Sequence, residues 1–291
     1  MDADPVKVAE RIGPQLRSIR TAAENLRDLV HYRVSIENRV KRGGHYRDVA
    51  GREGMDRVQF AVDEEKRAQE DLITAYELTV PGPMRDELGS IYGFGSGHSL
   101  AALIGFIGHP RLAIPLRWED RPKGGWPDGG TEAKRNVSDG DPFWRPGPRT
   151  LFAYCGIGDP LRDPKLIRNC SQEQMLAGGR KTVVQPRLRV WSDYIAKSVN
   201  MGKPNVLSSE WGRTYQKWLA DGRTRSHTTE CVNKFHKIAN PSGRRGCGTT
   251  AHPEWGDVGS PWRPNHAVYH AHRKLQQSFL LRLWDLSEDW F

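Results

Sequence analysis

Apolar residues recur with a helical rhythm near the start of the chain. Ile12, Leu16, Ile19, Ala23, Leu26 and Val30 stand 4, 3, 4, 3 and 4 positions apart, the a/d spacing of a coiled coil. Arg17, Arg20, Glu24, Arg27 and Asp28 lie between them. The pattern predicts a helix over residues 6–42, its start delayed by Gly13-Pro14 and its end set by Gly43-Gly44. So narrow a stripe suits a partner helix better than the broad face of a core. A second, highly charged helix is predicted over 50–77, with Val58, Phe60, Ala61, Ala68, Leu72 and Ala75 along it. Two antiparallel arms in one chain, or one arm dimerising with a second copy, both satisfy this pattern.

Pro81-Gly82-Pro83 breaks the helical rhythm. Beyond it an apolar run, Leu100 to Ile107, predicts a buried helix, and Thr150 to Gly158 a short apolar helix ending in a Gly turn. Residues 113–149, rich in Gly, Pro, Asp and Trp, are expected to form a long surface insertion. Residues 200–262 read as irregular. The last element, His266 to Leu286, carries Val268, Ala271, Leu275, Phe279, Leu283 and Leu286 on one face. The expected fold is mainly α, in three parts. Residues 1–80 form a coiled-coil arm expected to dimerise. Residues 81–199 form a helical domain with the insertion, and residues 200–291 a basic, loop-rich segment closed by an amphipathic helix.

Between the first two parts lies Leu88-Gly89-Ser90-Ile91-Tyr92-Gly93-Phe94-Gly95-Ser96-Gly97, followed directly by the apolar helix. A hydrophobic-x-Gly-hydrophobic-Gly hairpin ahead of a small-residue helix is the pattern of a helix-hairpin-helix. Its glycines tolerate φ > 0, and the open N–H groups of the next helix can face a phosphate. Such a hairpin holds the nucleic-acid backbone without reading sequence. Gly93, Gly95 and Gly97 are therefore the candidate phosphate loop. The competing reading is an ordinary turn between two core helices.

Charge favours the first. The 291-residue chain carries a formal net charge of +9 and a pI near 9.5, which suits an acidic partner, DNA or RNA before an anionic membrane surface. No apolar run approaches the roughly 20 residues that cross a bilayer, and the first residues resemble no secretory signal. Four cysteines, Cys155, Cys170, Cys231 and Cys247, are too few for a disulfide framework at this size. A cytoplasmic location is expected.

The order of the pieces resembles a known family. Leu26-Arg27-Asp28-Leu29-Val30 with Tyr32-Arg33 is followed by Asn38-Arg39-Val40. The Gly-rich hairpin and Ala101 to Gly108 come next, then Arg149-Thr150-Leu151-Phe152-Ala153-Tyr154-Cys155-Gly156 and a basic stretch ending Arg187-Leu188-Arg189. Over residues 15–42 and 85–195 this succession resembles the Piv-type DNA invertases and bridge-RNA-guided insertion-sequence transposases. The resemblance implies a coiled coil followed by a C-terminal transposase domain with a helix-hairpin-helix and a nucleophilic serine. No RuvC-like domain with its acidic residues fits ahead of the coiled coil. Where the family has its serine, this chain reads Gly179-Arg180-Lys181-Thr182-Val183-Val184-Gln185-Pro186-Arg187, and Thr182 is its only hydroxyl. Thr182 is the candidate nucleophile, with Ser192, Ser208 and Ser209 as weaker ones, and Arg180, Lys181, Arg187 and Arg189 form the candidate basic wall. The expectation is a DNA-binding protein, branched DNA included, that keeps the grip without the cutting domain. A threonine- or serine-dependent strand-transfer recombinase and a coiled-coil scaffold are the alternatives.

Two further constellations bear on chemistry. Cys231, His236, Cys247 and His252 carry the ligand types of a tetrahedral structural zinc site, with His227 as a spare. The x4 spacing is wider than the common zinc knuckle, so a metal-free reading stands beside it. His266 and His270 lie four apart on one helix face with His272 beyond, but no acidic residue completes a motif there, which favours plain polar helix positions. Among the tryptophans, Trp118, Trp126 and Trp144 are candidates for base stacking, whereas Trp191, Trp211, Trp218 and Trp284 are expected in the core.

Overall fold

The structure is a computed structural model that describes residues 4–42, 51–90, 97–113, 142–155, 209–229 and 257–290. Seven helices account for most of it: α1 Pro5–Arg42, α2 Gly51–Thr79, α3 Gly82–Ser90, α4 Gly97–Ile107, α5 Pro148–Tyr154, α6 Glu210–Arg223 and α7 Pro264–Leu286. Two strands, β1 Leu112–Ala113 and β2 Phe143–Trp144, pair antiparallel. A 3₁₀ turn, Ser287–Asp289, follows α7. The chain is mainly α, as its periodicity predicts.

Asp4 starts α1, its carboxylate accepting from Val6 N at 2.9 Å. This is an N-cap that supplies an acceptor to a free N–H. Gly13-Pro14 does not delay the helix as expected, because Pro14 lies inside it. An interior proline removes one backbone bond at a cost of about 3 kcal/mol. The buried Val8 and Leu16 hold the helix down on either side of it.

Residues 43–50 can extend about 3.6 Å each at most, too short to run back along a 38-residue helix. The two long helices, packed along one another, are therefore antiparallel. Between them Arg33 bridges Glu37 on α1 and Glu65 on α2, each at 2.6 Å. The heptad face reads as one core: Leu16, Ile19, Ala23 and Leu26 of α1 are buried with Ala68, Leu72 and Tyr76 of α2. That face is covered within a single chain, which realises the two-arm alternative for this part of the seam.

Helix α4 lies across both arms. Every residue from Leu100 to Ile107 is buried, as expected of a helix apolar on all sides. It approaches α1 so closely that a Cβ on Gly105 would lie 2.9 Å from Ile19 Cγ2 and 3.0 Å from Ile19 O. After Ile107 the chain turns at Gly108, whose φ of 68° is in the left-handed region that favours glycine. The second half of α7 closes the same core through Phe279, Leu280 and Leu283, with Trp290 beyond it. The described portions of all three expected parts thus share one apolar interior.

Two expectations change. The insertion does not run to residue 149, because Phe143 and Trp144 pair with Ala113 and Leu112, and α5 begins at Pro148. Residues 200–262 are not irregular throughout, since α6 occupies Glu210–Arg223. Helix α6 escaped notice because its buried apolar face is thin. Only Tyr215 and two glycines are fully buried, and Gly222 packs against α7, where a Cβ would stand 2.8 Å from Ala267 Cα.

Candidate nucleic-acid interface

Helices α3 and α4 flank the Gly-rich segment and place its two ends. Leu88 near the end of α3 is buried in the common core, and Gly97 opens α4 in an exposed position. His98 and Ser99 are half-buried before the helix sinks at Leu100. The first turn of α4 carries no acidic side chain, so the positive end of its dipole is not neutralised from within that turn. A Cβ on Gly97 would meet nothing within 4 Å. Burial holds the His98 imidazole below its usual range, against the opposing pull of Glu65.

Of the residues singled out in the sequence, Gly97 is placed as described. Gly93 and Gly95 lie outside the described residues, as do Thr182, Arg180, Lys181, Arg187 and Arg189, and also Ser192 and Ser208. The same holds for Cys231, His236, Cys247 and His252 and for Trp118 and Trp126. Among the described residues no group of three or more His, Cys, Asp or Glu is arranged to hold a metal ion. No helix among them is long and apolar enough to cross a membrane. Ser209 is the N-cap of α6, its hydroxyl accepting from Gly212 N at 3.1 Å. Trp144, expected as a stacking residue, sits in β2 with its ring edge-on to His109 at 6.2 Å.

Below the C-terminal end of α4 lies a buried cationic knot that the sequence did not announce. Arg145 Nη1 donates to the carbonyls of His109 at 2.8 Å, Pro110 at 2.7 Å and Leu112 at 3.3 Å. Its guanidinium lies 4.9 Å from the Tyr154 ring centre. His109 Nδ1 accepts from the backbone N–H groups of Arg111 and Leu112, each at 3.1 Å. Burial first, then Arg145 and Arg111, push the His109 pKa down to about 3. Burial also raises the Cys155 thiol to about 12 although Arg145 opposes it. This knot is a neutral histidine and a neutral thiol around a fixed cation. It joins α4, the β pair and α5, and has the character of a structural joint.

The second grouping lies between α6 and α7, and it corrects the reading of His270 as a plain polar helix residue. His270 Nε2 is 3.0 Å from Asp221 Oδ2, and the histidine side chain is only 2% exposed. Asp221 also accepts from Arg225, at 2.9 Å from Nε and 2.8 Å from Nη2. The acidic partner missing from the local motif thus arrives from another helix, 49 positions away. Burial, then Arg225 and Arg273, lower the His270 pKa to about 4, while Asp221 pulls the other way. For Asp221 burial acts upward, but Arg225 and His270 together bring its pKa below the usual value. A neutral imidazole facing a carboxylate donates through Nε2, so Nδ1 carries the lone pair.

Around this pair the rings form a row. Trp218 meets His270 edge-on at 6.0 Å, and Trp262 meets His270 at 5.5 Å. His266 stands against Trp262 at 6.1 Å and against His227 at 5.3 Å. Cations lie over the indoles: Lys274 at 4.9 Å and Lys217 at 5.8 Å from the Trp218 centre, and Arg225 at 5.5 Å from that of Trp262. Trp218 is half-buried, packed against Tyr215, Ala271 and Leu275 as its helical context suggested, with two lysines over its ring. His270 Nδ1 and Trp262 Nε1 are sealed from solvent without a hydrogen-bond partner among the described residues, each costing roughly 1–3 kcal/mol. One signal was visible beforehand: Trp218 directly follows Lys217 in sequence.

No family model, no curated protein and no solved structure matches the chain.

Proposed function

We propose that the protein binds nucleic acid through the phosphate backbone, with the segment between α3 and α4 as its grip. The observation that carries the reading is the setting of α4. Its body is buried from Leu100 onward, while its first turn is exposed at Gly97, free of acid, and preceded in sequence by Gly93 and Gly95. Such a turn presents N–H groups to an anion, and the net charge of +9 favours an anionic polymer over a small anion. The resemblance to the transposase C-terminal module agrees with this role and makes branched DNA the first substrate to try. The seam from Leu16 to Leu26 packs inside the chain, and a homodimer through the coiled-coil arms stays part of this proposal.

The test is a binding titration of the full chain against linear duplex and a four-way junction at two salt concentrations. Backbone binding predicts log affinity falling with log salt by about 0.9 per phosphate engaged. Replacing Gly95 by Val should weaken binding at least tenfold in a protein that still melts cooperatively. A folded Gly95→Val protein with wild-type affinity would falsify the hairpin as the grip.

A further inference from the structure

Helices α1 and α2 run on past the common core as a two-helix arm, and toward its tip their seam thins. On α1 no described side chain after Leu26 is fully buried, and on α2 only Ala61 is buried ahead of Ala68. Apolar residues of the tip lie open instead: Tyr32 is 50% exposed and Phe60 59%, with Ile36 and Val40 half-buried. Tyr32, Ile36 and Val40 stand four apart and so share one face of α1. On the helical wheel Ile36 is turned roughly 140° from Ala23, the side on which Gly105 of α4 packs. The bridge from Arg33 to Glu65 sets residue 60 of α2 level with residue 38 of α1, so Phe60 stands at the height of this stripe.

We infer that this face docks against the arm of a second copy, the two arms lying side by side with their tips pointing the same way. Charge selects both the partner and the arrangement. Helix α1 carries nine Lys and Arg against four Asp and Glu, whereas α2 carries eight Asp and Glu against four Lys and Arg. With both tips pointing the same way, each α1 lies against its partner's α2 as well as its own. The four helices then alternate in sign around the bundle, and every neighbouring pair is antiparallel, as in an up-down four-helix bundle. Arms pointing in opposite directions would stack α1 on α1 and α2 on α2, like charge on like. Nucleic acid fits the tip poorly, because the carboxylates of α2 flank the apolar stripe. In the alternating bundle Phe60 of one copy meets Tyr32 and Ile36 of the other. The dimer rests on the reading of the arms as the self-contact and specifies it: the seam from Leu16 to Leu26 stays inside each chain, and a separate face joins the copies.

The experiment is sedimentation equilibrium of the full chain without nucleic acid, at about 0.1 M and about 1 M salt. A dimer is expected, held less tightly at the higher salt. Phe60→Glu and Ile36→Glu should each raise the dissociation constant roughly tenfold or more, with unchanged helical circular dichroism. Tyr32→Glu, at an exposed site, decides the matter if Ile36→Glu does not fold. The arrangement is read by oxidative cross-linking and peptide mass spectrometry. Ile36→Cys protein mixed with Glu64→Cys protein should join through those two positions, and Ile36→Cys protein alone should not join to itself there, because the two α1 helices lie on a diagonal. Protein that stays monomeric at about 100 μM, well above the dissociation constants of stable dimers, overturns the inference. So does a dimer that Phe60→Glu and a folded Ile36→Glu or Tyr32→Glu leave unchanged, or one that joins Ile36→Cys to itself and not to Glu64→Cys. Monomeric protein that binds duplex DNA leaves the hairpin reading intact. A dimer with the expected cross-link that binds no nucleic acid supports the inference and removes the hairpin.

Discussion

His270 Nε2 and Asp221 Oδ2 meet at 3.0 Å and tie α7 to α6 at the point where both carry their rings. With His270 lowered to about 4 and His109 to about 3, both imidazoles are neutral in the fold, whereas an unfolded histidine titrates near 6.5. The unfolded chain therefore binds more protons below that value. Stability is full above about pH 6.5 and is lost as pH falls toward 4, at up to about 1.4 kcal/mol per pH unit for each proton. Urea unfolding between pH 7.5 and 4.5 should show this slope, and His270→Gln should make it shallower. A pH-independent midpoint across that range would contradict the burial of both rings.

The contact of α4 with α1 offers a sharper packing test. A Cβ at Gly105 would press on Ile19 side chain and carbonyl, and overpacking of this kind costs about 1–3 kcal/mol. Gly105→Ala should destabilise the protein by that amount in urea. At Gly89 a Cβ meets nothing within 4 Å, so Gly89→Ala should be neutral or stabilising by up to about 1 kcal/mol. Equal effects at the two glycines would mean that the helices do not approach as described.

Arg145 gathers three backbone carbonyls beneath α4. Arg145→Met should cost about 3 kcal/mol or more, since it strands those acceptors in a buried site. Arg145→Lys should rescue little, because an ammonium lacks the planar fork and stacks poorly on Tyr154. Thermal melts of the two variants check this.

Cys155 is fully buried and its thiol is raised to about 12. It should resist iodoacetamide in the native protein at pH 8 and react at the rate of an ordinary thiol in guanidinium. Peptide mass spectrometry resolves it from the other three cysteines. Rapid native labelling would place it at the surface.

These particulars show what the chain's pattern could and could not foretell. The spacing from Leu16 to Leu26 and the unbroken apolar run from Leu100 to Ile107 announced the two arms and the central helix, because burial on a fixed helical face leaves a period. It did not disclose whether the arm's partner was another copy or the next helix, since both bury the same stripe. Helix α6 escaped because glycines and tryptophans, not a regular apolar stripe, form its contact with α7. The pair of His270 and Asp221 escaped for a different reason: no local spacing encodes a contact made between two helices. Arg145 reads as one more surface cation until the turn after α4 folds around it.

Two stretches outside the described residues, 114–141 and 230–256, are each flanked by paired backbone. Leu112 pairs with Trp144 and Ala113 with Phe143 around residues 114–142. Ser226 bridges Pro261, with His227 N bonded to Ser260 O and Trp262 N to Arg225 O, around the second stretch. Once a neck is closed, a change in the length of chain beyond it costs the scaffold little, because doubling a loop costs only about 0.6 kcal/mol. The helices can thus serve as a chassis on which two interchangeable cassettes are lengthened, trimmed or replaced, each evolving at its own pace while the frame beneath stays the same.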